Sequence, residues 1–257
     1  MGLITEHDDA TNGYEAVELP PDPVSTAGLT GAMFRRTSTR PSRRAVLYLH
    51  CQSDPFVPED LASWYTERGF HFYVADLRPA DQQDRQDRQD RQAAPKRQRG
   101  KELQACFAGL DSACAYLREA DGIDALIVSA HAAGAGAAAL WCDARGDSNP
   151  ADALILSNPV FGRRKHRPLA ITCPVLVLSA SGDPDSGPAK GARSRAGLRH
   201  RASPDNILLG THVTCLRLDD SLLADTEPTA ADRRRFFDEV GRWLGAYMYG
   251  QVRDQLL

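Results

Sequence analysis

Four groups of residues carry side chains able to do chemistry. His50, Cys51, Gln52, Ser53 and Asp54 follow one another directly at the end of an apolar run, RRAVLYLH (43–50). His131 lies in VSAHAAGA (128–135) and is followed by Ala132 and Ala133. Asp183 follows the apolar run PVLVLSA (174–180). The fourth group is six cysteines, Cys51, Cys106, Cys114, Cys142, Cys173 and Cys215. A histidine at the end of a buried strand can take or give a proton, so His50 reads as a general base or ligand contact, or else as a histidine holding its own loop. Asp54 can act as a base or orient a substrate hydroxyl; before Pro55 it can equally be a turn residue. Cys51 would need a partner to become a thiolate, and His50, its neighbour in sequence, points elsewhere. No two cysteines stand as C-x-x-C and none has a histidine at zinc spacing, so no structural zinc is expected. Most of the cysteines sit in apolar runs, where a thiol behaves as a small hydrophobe.

These groups need a scaffold, and the chain is long enough for one large α/β domain. Its net charge of −3 gives no global pull toward nucleic acid or an anionic surface. No apolar run reaches the length of about 18 residues that a membrane span requires. The N-terminus, MGLITEHDDATNGY, is acidic and lacks a basic-then-apolar leader pattern, so a cytoplasmic location is expected.

The pattern alternates between two periods. YEAVEL (14–19) and LTGAMFRR (29–36) read as a hairpin around a Pro-rich turn. RRAVLYLH (43–50), FHFYVADL (70–77), DALIVSA (124–130), ADALILS (151–157), PVLVLSA (174–180) and HVTCLRL (212–218) are apolar runs of the kind buried on both faces of a parallel sheet. Helical spacing appears in PEDLASWYTERG (58–69), KELQACFAGLDSACAYLREA (101–120), AGAGAAALWCDAR (133–145) and DRRRFFDEVGRWLGAYM (232–248). The last of these sets Phe236, Phe237, Val240, Trp243, Leu244 and Tyr247 on one face. Residues 80–100 contain QDR three times in succession and read as a polar loop or a helix extension, a tolerated insertion rather than a binding arm. Strands alternating with helices imply a mostly parallel, doubly wound sheet of about eight strands in a single domain spanning 1–257. The short spacer between 157 and 174 leaves no room for a large lid domain. Phe56, Trp64, Trp141 and Phe161 could line an apolar pocket, though aromatics on such elements are more often core.

In order and spacing, the opening hairpin, RRAVLYLHCQSD, HFYVADLR, SAHAAGAGAAALW, LILSNPVF, PVLVLSASGD and HVTCLRL resemble the α/β-hydrolase fold, in particular the lysophospholipase-like and serine aminopeptidase-like hydrolases of actinobacteria. The resemblance covers nearly the whole chain. It implies a nucleophile on a sharp turn between strand and helix, flanked by small residues, here Ala130, Gly134 and Gly136. The residue in that place is Ala132, which cannot attack a carbonyl. The resemblance assigns the acid to Asp183 and expects the histidine in DDSLLADTEP (219–228), where Leu223 stands instead. His131 reads as a packing residue beside the turn, and His212 as a strand-end residue. The oxyanion hole, made of backbone N–H groups, would survive near Gln52 (after His50-Cys51) and Ala133.

Two absent triad members beside a kept scaffold imply a protein that reuses the pocket. The expectation is a cofactorless, non-hydrolytic enzyme of natural-product biosynthesis, performing carbon–carbon coupling, conjugate addition, cyclisation or dehydration on an apolar or polycyclic, polyketide-type small molecule. His50, Asp54 and Asp183 are its candidate catalytic groups; Cys51, Gln52, His131, Ala132, Ala133 and Leu223 line its oxyanion hole and pocket. No metal, nucleic acid or membrane partner is expected, and the sequence does not fix the oligomeric state. The alternatives are a ligand-binding protein without turnover and an esterase or lysophospholipase whose serine has become Ala132.

Overall fold

A computed structural model describes residues 13–19, 32–50, 59–76, 96–161, 168–180, 208–210, 213–218 and 230–254. Ten strands and four α-helices are described: β1 (Glu15–Glu18), β2 (Ala32–Arg36), β3 (Arg44–His50), α1 (Glu59–Glu67), β4 (His71–Asp76), α2 (Lys96–Glu119), β5 (Ala125–His131), α3 (Ala132–Arg145), β6 (Ala153–Ser157), β7 (Leu169–Ile171), β8 (Val175–Ala180), β9 (Leu208–Gly210), β10 (Val213–Leu218) and α4 (Ala230–Asp254). Eight strands form a mixed, mostly parallel sheet in the order β1-β2-β4-β3-β5-β6-β8-β10. Each strand and helix expected from the sequence is present, with ends shifted by a few residues. Two short strands, β7 and β9, were not expected; they pair in parallel as a separate sheet. At three residues each, they are too short for a period-two pattern to register. The chain divides into two compact units, 1–128 and 129–257, with the division inside β5.

In the first unit β1 and β2 form the expected hairpin, β2 lies antiparallel to β4, and β3 runs parallel to β4 with Leu47 opposite Tyr73. The β3 residues Ala45, Val46 and Leu47 are fully buried, as a strand covered on both faces should be. Helix α1 brings Tyr65 against Phe70 and Phe72, ring centroids 5.9 and 5.8 Å apart, and the Arg68 guanidinium covers Trp64 at 4.1 Å. Gly69, at φ 80°, ends the helix in the left-handed conformation that a Cβ disfavours. The Tyr73 hydroxyl donates to Asp121 at 2.6 Å, and Arg35 bridges Asp121 at 3.4 Å and Glu15 at 2.6 Å. Two of the sequence's pocket candidates, Trp64 here and Trp141 in the second unit, are core residues.

Helix α2 begins at Lys96, so the end of the QDR segment is helical, and the rest of that segment lies outside the described residues. Phe107, Leu110, Cys114 and Leu117 make its buried stripe at helical spacing. Burial, reinforced by the charge of Asp111, pushes the Cys114 thiol up to about 12, against a partial opposing pull from Arg118. The folded chain therefore keeps the Cys114 proton where the unfolded chain releases it. Stability is fully present below the ordinary thiol range and falls as pH rises from about 9 toward about 12. Urea unfolding between pH 8 and 11 should show this loss, and Cys114→Ala should flatten it while lowering stability at neutral pH.

In the second unit β6, β8 and β10 run parallel, Leu154 opposite Val175 and Val213 opposite Val175 from the other side. Helix α4 buries Val240, Trp243 and Leu244 from its expected apolar face, and the Trp243 indole N–H donates to the Thr214 hydroxyl at 3.2 Å. Among the described residues no helix is long and apolar enough to cross a membrane.

Candidate functional site

The junction of β5 and α3 is where backbone geometry departs from the ordinary. His131 closes the strand in an extended conformation, φ −120° and ψ 149°. The next residue, Ala132, has φ 47° and begins the helix. An alanine in the left-handed region carries about 1–2 kcal/mol of steric cost that glycine would not. Only two described non-glycine residues have positive φ, Ala132 and Asn158, and the second follows directly on β6. The sequence here is not one that favours a left-handed residue, so the surrounding packing must impose it.

Three contacts do so. The Val160 N–H donates to the Ala132 carbonyl at 2.9 Å, and the Asn158 N–H donates to the Leu178 carbonyl at 2.7 Å. The segment 158–161 is thus pinned to the elbow at one end and to β8 at the other. It crosses α3 one turn beyond Ala132, at Gly136. A Cβ on Gly136 would sit 2.2 Å from the Val160 carbonyl oxygen, far inside van der Waals contact. Among the small residues that flank Ala132, Gly136 gives room to the backbone that follows β6, which makes the close approach there. The sequence signal for that segment was the Asn158-Pro159 pair, a turn former, which was read as part of a motif and not as a clamp.

The electrostatics at this junction favour an acceptor oxygen. The first N–H groups of a helix lack intrahelical partners and carry the positive end of its dipole. In α3 no acidic residue occupies the first turn, and His131 makes no side-chain capping hydrogen bond. Ala133, in that first turn, is exposed, and Ala132 and His131 are half-buried. The first turn of α3 is therefore exposed at Ala133 and carries no acidic side chain, and residue 132 ends in a methyl group, which cannot form a covalent bond to a carbonyl carbon.

Of the other sequence candidates, His50 is the last residue of β3. Cys51, Gln52, Asp54, Asp183, Leu223 and His212, with Phe56 among the aromatics, lie outside the described residues, as does the side chain of His50. Phe161, the remaining pocket candidate, is buried at the end of the 158–161 segment.

Releasing the imposed dihedral gives a direct test of its presence. Ala132→Gly relieves the left-handed cost of about 1–2 kcal/mol and adds back about 0.4–1 kcal/mol of unfolded-chain entropy, so it should stabilise the protein by about 0.5–1 kcal/mol. Ala132→Val, β-branched at positive φ, should destabilise it. Equilibrium urea unfolding of the pair reads both signs.

No family model matches the chain, and no curated protein does. Solved structures do resemble it. A cold-adapted esterase from an Arctic intertidal metagenomic library matches with a TM-score of 0.59 at 15% identity, over 91% of this chain and 92% of the other. A dienelactone hydrolase from Anabaena variabilis matches with a TM-score of 0.58 at 13% identity, over 91% and 97%. A soluble variant of the monoglyceride lipase from Saccharomyces cerevisiae matches with a TM-score of 0.53 at 12% identity, over 91% and 96%. At these identities the likeness is one of fold: the chain has the α/β-hydrolase fold.

Proposed function

We propose that this chain, built on the α/β-hydrolase fold, acts on a small molecule without ever forming an acyl-enzyme. Its elbow holds a carbonyl oxygen that gains negative charge, and a proton moves at the neighbouring carbon. The observation that supports this reading is Ala132 itself: the turn from β5 into α3 holds a costly left-handed residue, at φ 47°, whose side chain is only a methyl group, at the place where the resemblance expects a nucleophile. A turn with no remaining use would be free to relax through a glycine or a shifted segment. What it still delivers is the Ala133 amide at a helix N-terminus, a donor suited to an enolate or phenolate.

The substrates that suit such a site have an acidic C–H beside a carbonyl, as in 1,3-dicarbonyl and polyketide-type compounds. Stabilising their enolates permits carbon–carbon coupling, conjugate addition, cyclisation or dehydration. The candidate proton carriers are His50, Asp54 and Asp183 from the sequence reading. The fold is equally compatible with an esterase-like ancestry in which the serine position has become Ala132.

Two measurements test the proposal. A nitrophenol should bind preferentially as its phenolate, seen as growth of the phenolate absorbance on adding protein at fixed pH. A cyclic 1,3-diketone and a simple aryl ketone in D2O should exchange their α-protons faster with protein than without, by NMR. Phenolate binding with no acceleration of exchange would replace the enzyme with a binding protein. A phenol bound only in its neutral form would remove the oxyanion site altogether.

A further inference from the structure

Strands β3 and β4 run parallel, and their last residues are register partners, His50 with Asp76. Residues 45–49 and 72–75 before them are all buried. The pair therefore stands where the buried sheet ends, at the C-terminal edge of the strands, the edge at which open α/β sheets bind their ligands. Period two fixes the face. Phe72 stacks on Tyr48 and on Tyr65 of α1, with ring centroids 6.0 and 5.8 Å apart. Positions 46, 48 and 50 of β3 and 72, 74 and 76 of β4 thus share the face that α1 covers. The same row continues through Ala32 of β2 to Glu18 of β1. Asp76 therefore has two in-register neighbours, Ala32 and His50.

We propose that Asp76 is the positioning residue for His50: set beside it by the β3–β4 register, its carboxylate holds one imidazole nitrogen and leaves the other free to take a proton. This rests on the reading above in which His50 moves a proton.

Aspartate is disfavoured in strands, and a carboxylate at the end of a buried strand is costly without a partner. Ala32 has no side-chain donor, and an imidazole has one. The other charged groups of this face are placed elsewhere. Arg36 stands four residues from Ala32, about 13 Å along β2, and pairs with Glu59 at the start of α1. Asp60 follows Glu59 in the same first turn, and Glu18 lies two strands beyond Asp76. Arg44, at the far end of β3, has its guanidinium over Phe70 at 4.9 Å. Strand β5, the other neighbour of β3 in the sheet, has no ionisable residue before His131. Cys51 and Asp54 follow His50 in sequence, and Arg78 follows Asp76, all outside the described residues. A carboxylate on one ring nitrogen fixes the tautomer and stabilises the imidazolium as it forms. The free nitrogen then takes the proton from the substrate carbon: the C–H bond breaks, an N–H bond forms, and the electron pair stays on the enolate. Return of a proton to that carbon restores the neutral imidazole.

The test follows the histidines of the full chain by NMR through a pH titration, with isotope-labelled histidine and His50 assigned by its loss in His50→Gln. In the unmutated chain the His50 signal should titrate about one pH unit above the ordinary histidine value of about 6.5. Asp76→Asn should bring that midpoint down by about one pH unit, and Asp76→Glu should return it most of the way, while the other histidines keep theirs. Exchange of the α-protons of a cyclic 1,3-diketone in D2O should slow by about 10²-fold in Asp76→Asn at saturating diketone, with the half-saturating concentration within about twofold. The midpoint of its rate–pH profile should move down with the NMR midpoint. A residue that only braces the strand end would lower the plateau and leave both midpoints in place. A His50 signal titrating at or below the ordinary value in the unmutated chain overturns the pairing with no variant needed, so the test holds even where Asp76→Asn fails to fold. A midpoint that Asp76→Asn leaves unmoved overturns it as well. Midpoints that shift as expected, in a chain that accelerates no exchange, keep the pair and remove the proposed function, so the two failures are told apart.

Discussion

Ala132→Ser alone is expected to leave hydrolysis of p-nitrophenyl acetate within about tenfold of the starting protein, and Ala132→Ser with Leu223→His to raise it by a further 10²–10⁴-fold, roughly the contribution of a positioned general base. A serine at residue 132 would find the elbow ready: the dihedral is already left-handed, at φ 47°, and the Ala133 amide stands in the first turn of the helix. Serine carries a steric cost there similar to that of alanine, so the single variant should fold as the parent does. What it lacks is a base, since a serine hydroxyl is a weak nucleophile until a neighbour takes its proton. The resemblance places that neighbour at Leu223. Steady-state rates and the size of a pre-steady-state burst, read for both variants, separate an acyl-enzyme from surface-catalysed hydrolysis. A single variant that becomes a robust esterase would mean that another base already reaches residue 132. The proposed non-hydrolytic function would then give way to an esterase that has lost one atom. An inert double variant would overturn the alignment of Leu223 with the missing histidine.

Gly136→Ala is expected to destabilise the protein by about 3 kcal/mol, a fall in melting temperature of roughly 6–12 °C. The atom in the way is the Val160 carbonyl oxygen, 2.2 Å from the new methyl carbon. A side chain could swing aside, but a backbone carbonyl moves only with its segment. Shifting that segment breaks the Val160–Ala132 hydrogen bond and strains the Asn158–Leu178 bond. The damage should therefore reach the elbow, and any activity that depends on the Ala133 amide should fall with the stability. Gly245→Ala in α4 is the matched control. Nothing lies within 4 Å of its added methyl, and the residue is exposed on a helix, so that change should stabilise by about 0.5–1 kcal/mol. Opposite signs from the same substitution would assign the Gly136 effect to contact rather than helix propensity. Equal signs would remove the 158–161 clamp from the account of the elbow.

The sequence by itself determined the sheet, the helices and the identity of residue 132. Runs such as RAVLYLH and ALIVSAH are apolar on both faces and can be stable only between two covering layers; β3 and β5 are those runs. The stripe of Phe107, Leu110, Cys114 and Leu117 fixed the packed face of α2 because its period is that of the helix. Loss of covalent chemistry at Ala132 was legible too, because it depends on atoms the side chain does not have. The tertiary structure decided the rest. Alanine has no intrinsic preference for positive φ, so the strain at Ala132 comes from contacts with a segment about 28 residues away in the chain. Gly136 carries no mark in the sequence to say whether a strand or a later loop leans on it. The end of α3 and the approach to β8 converge in space, where the Ala170 N–H donates to Asp143, and periodicity carries information along the chain but not across it.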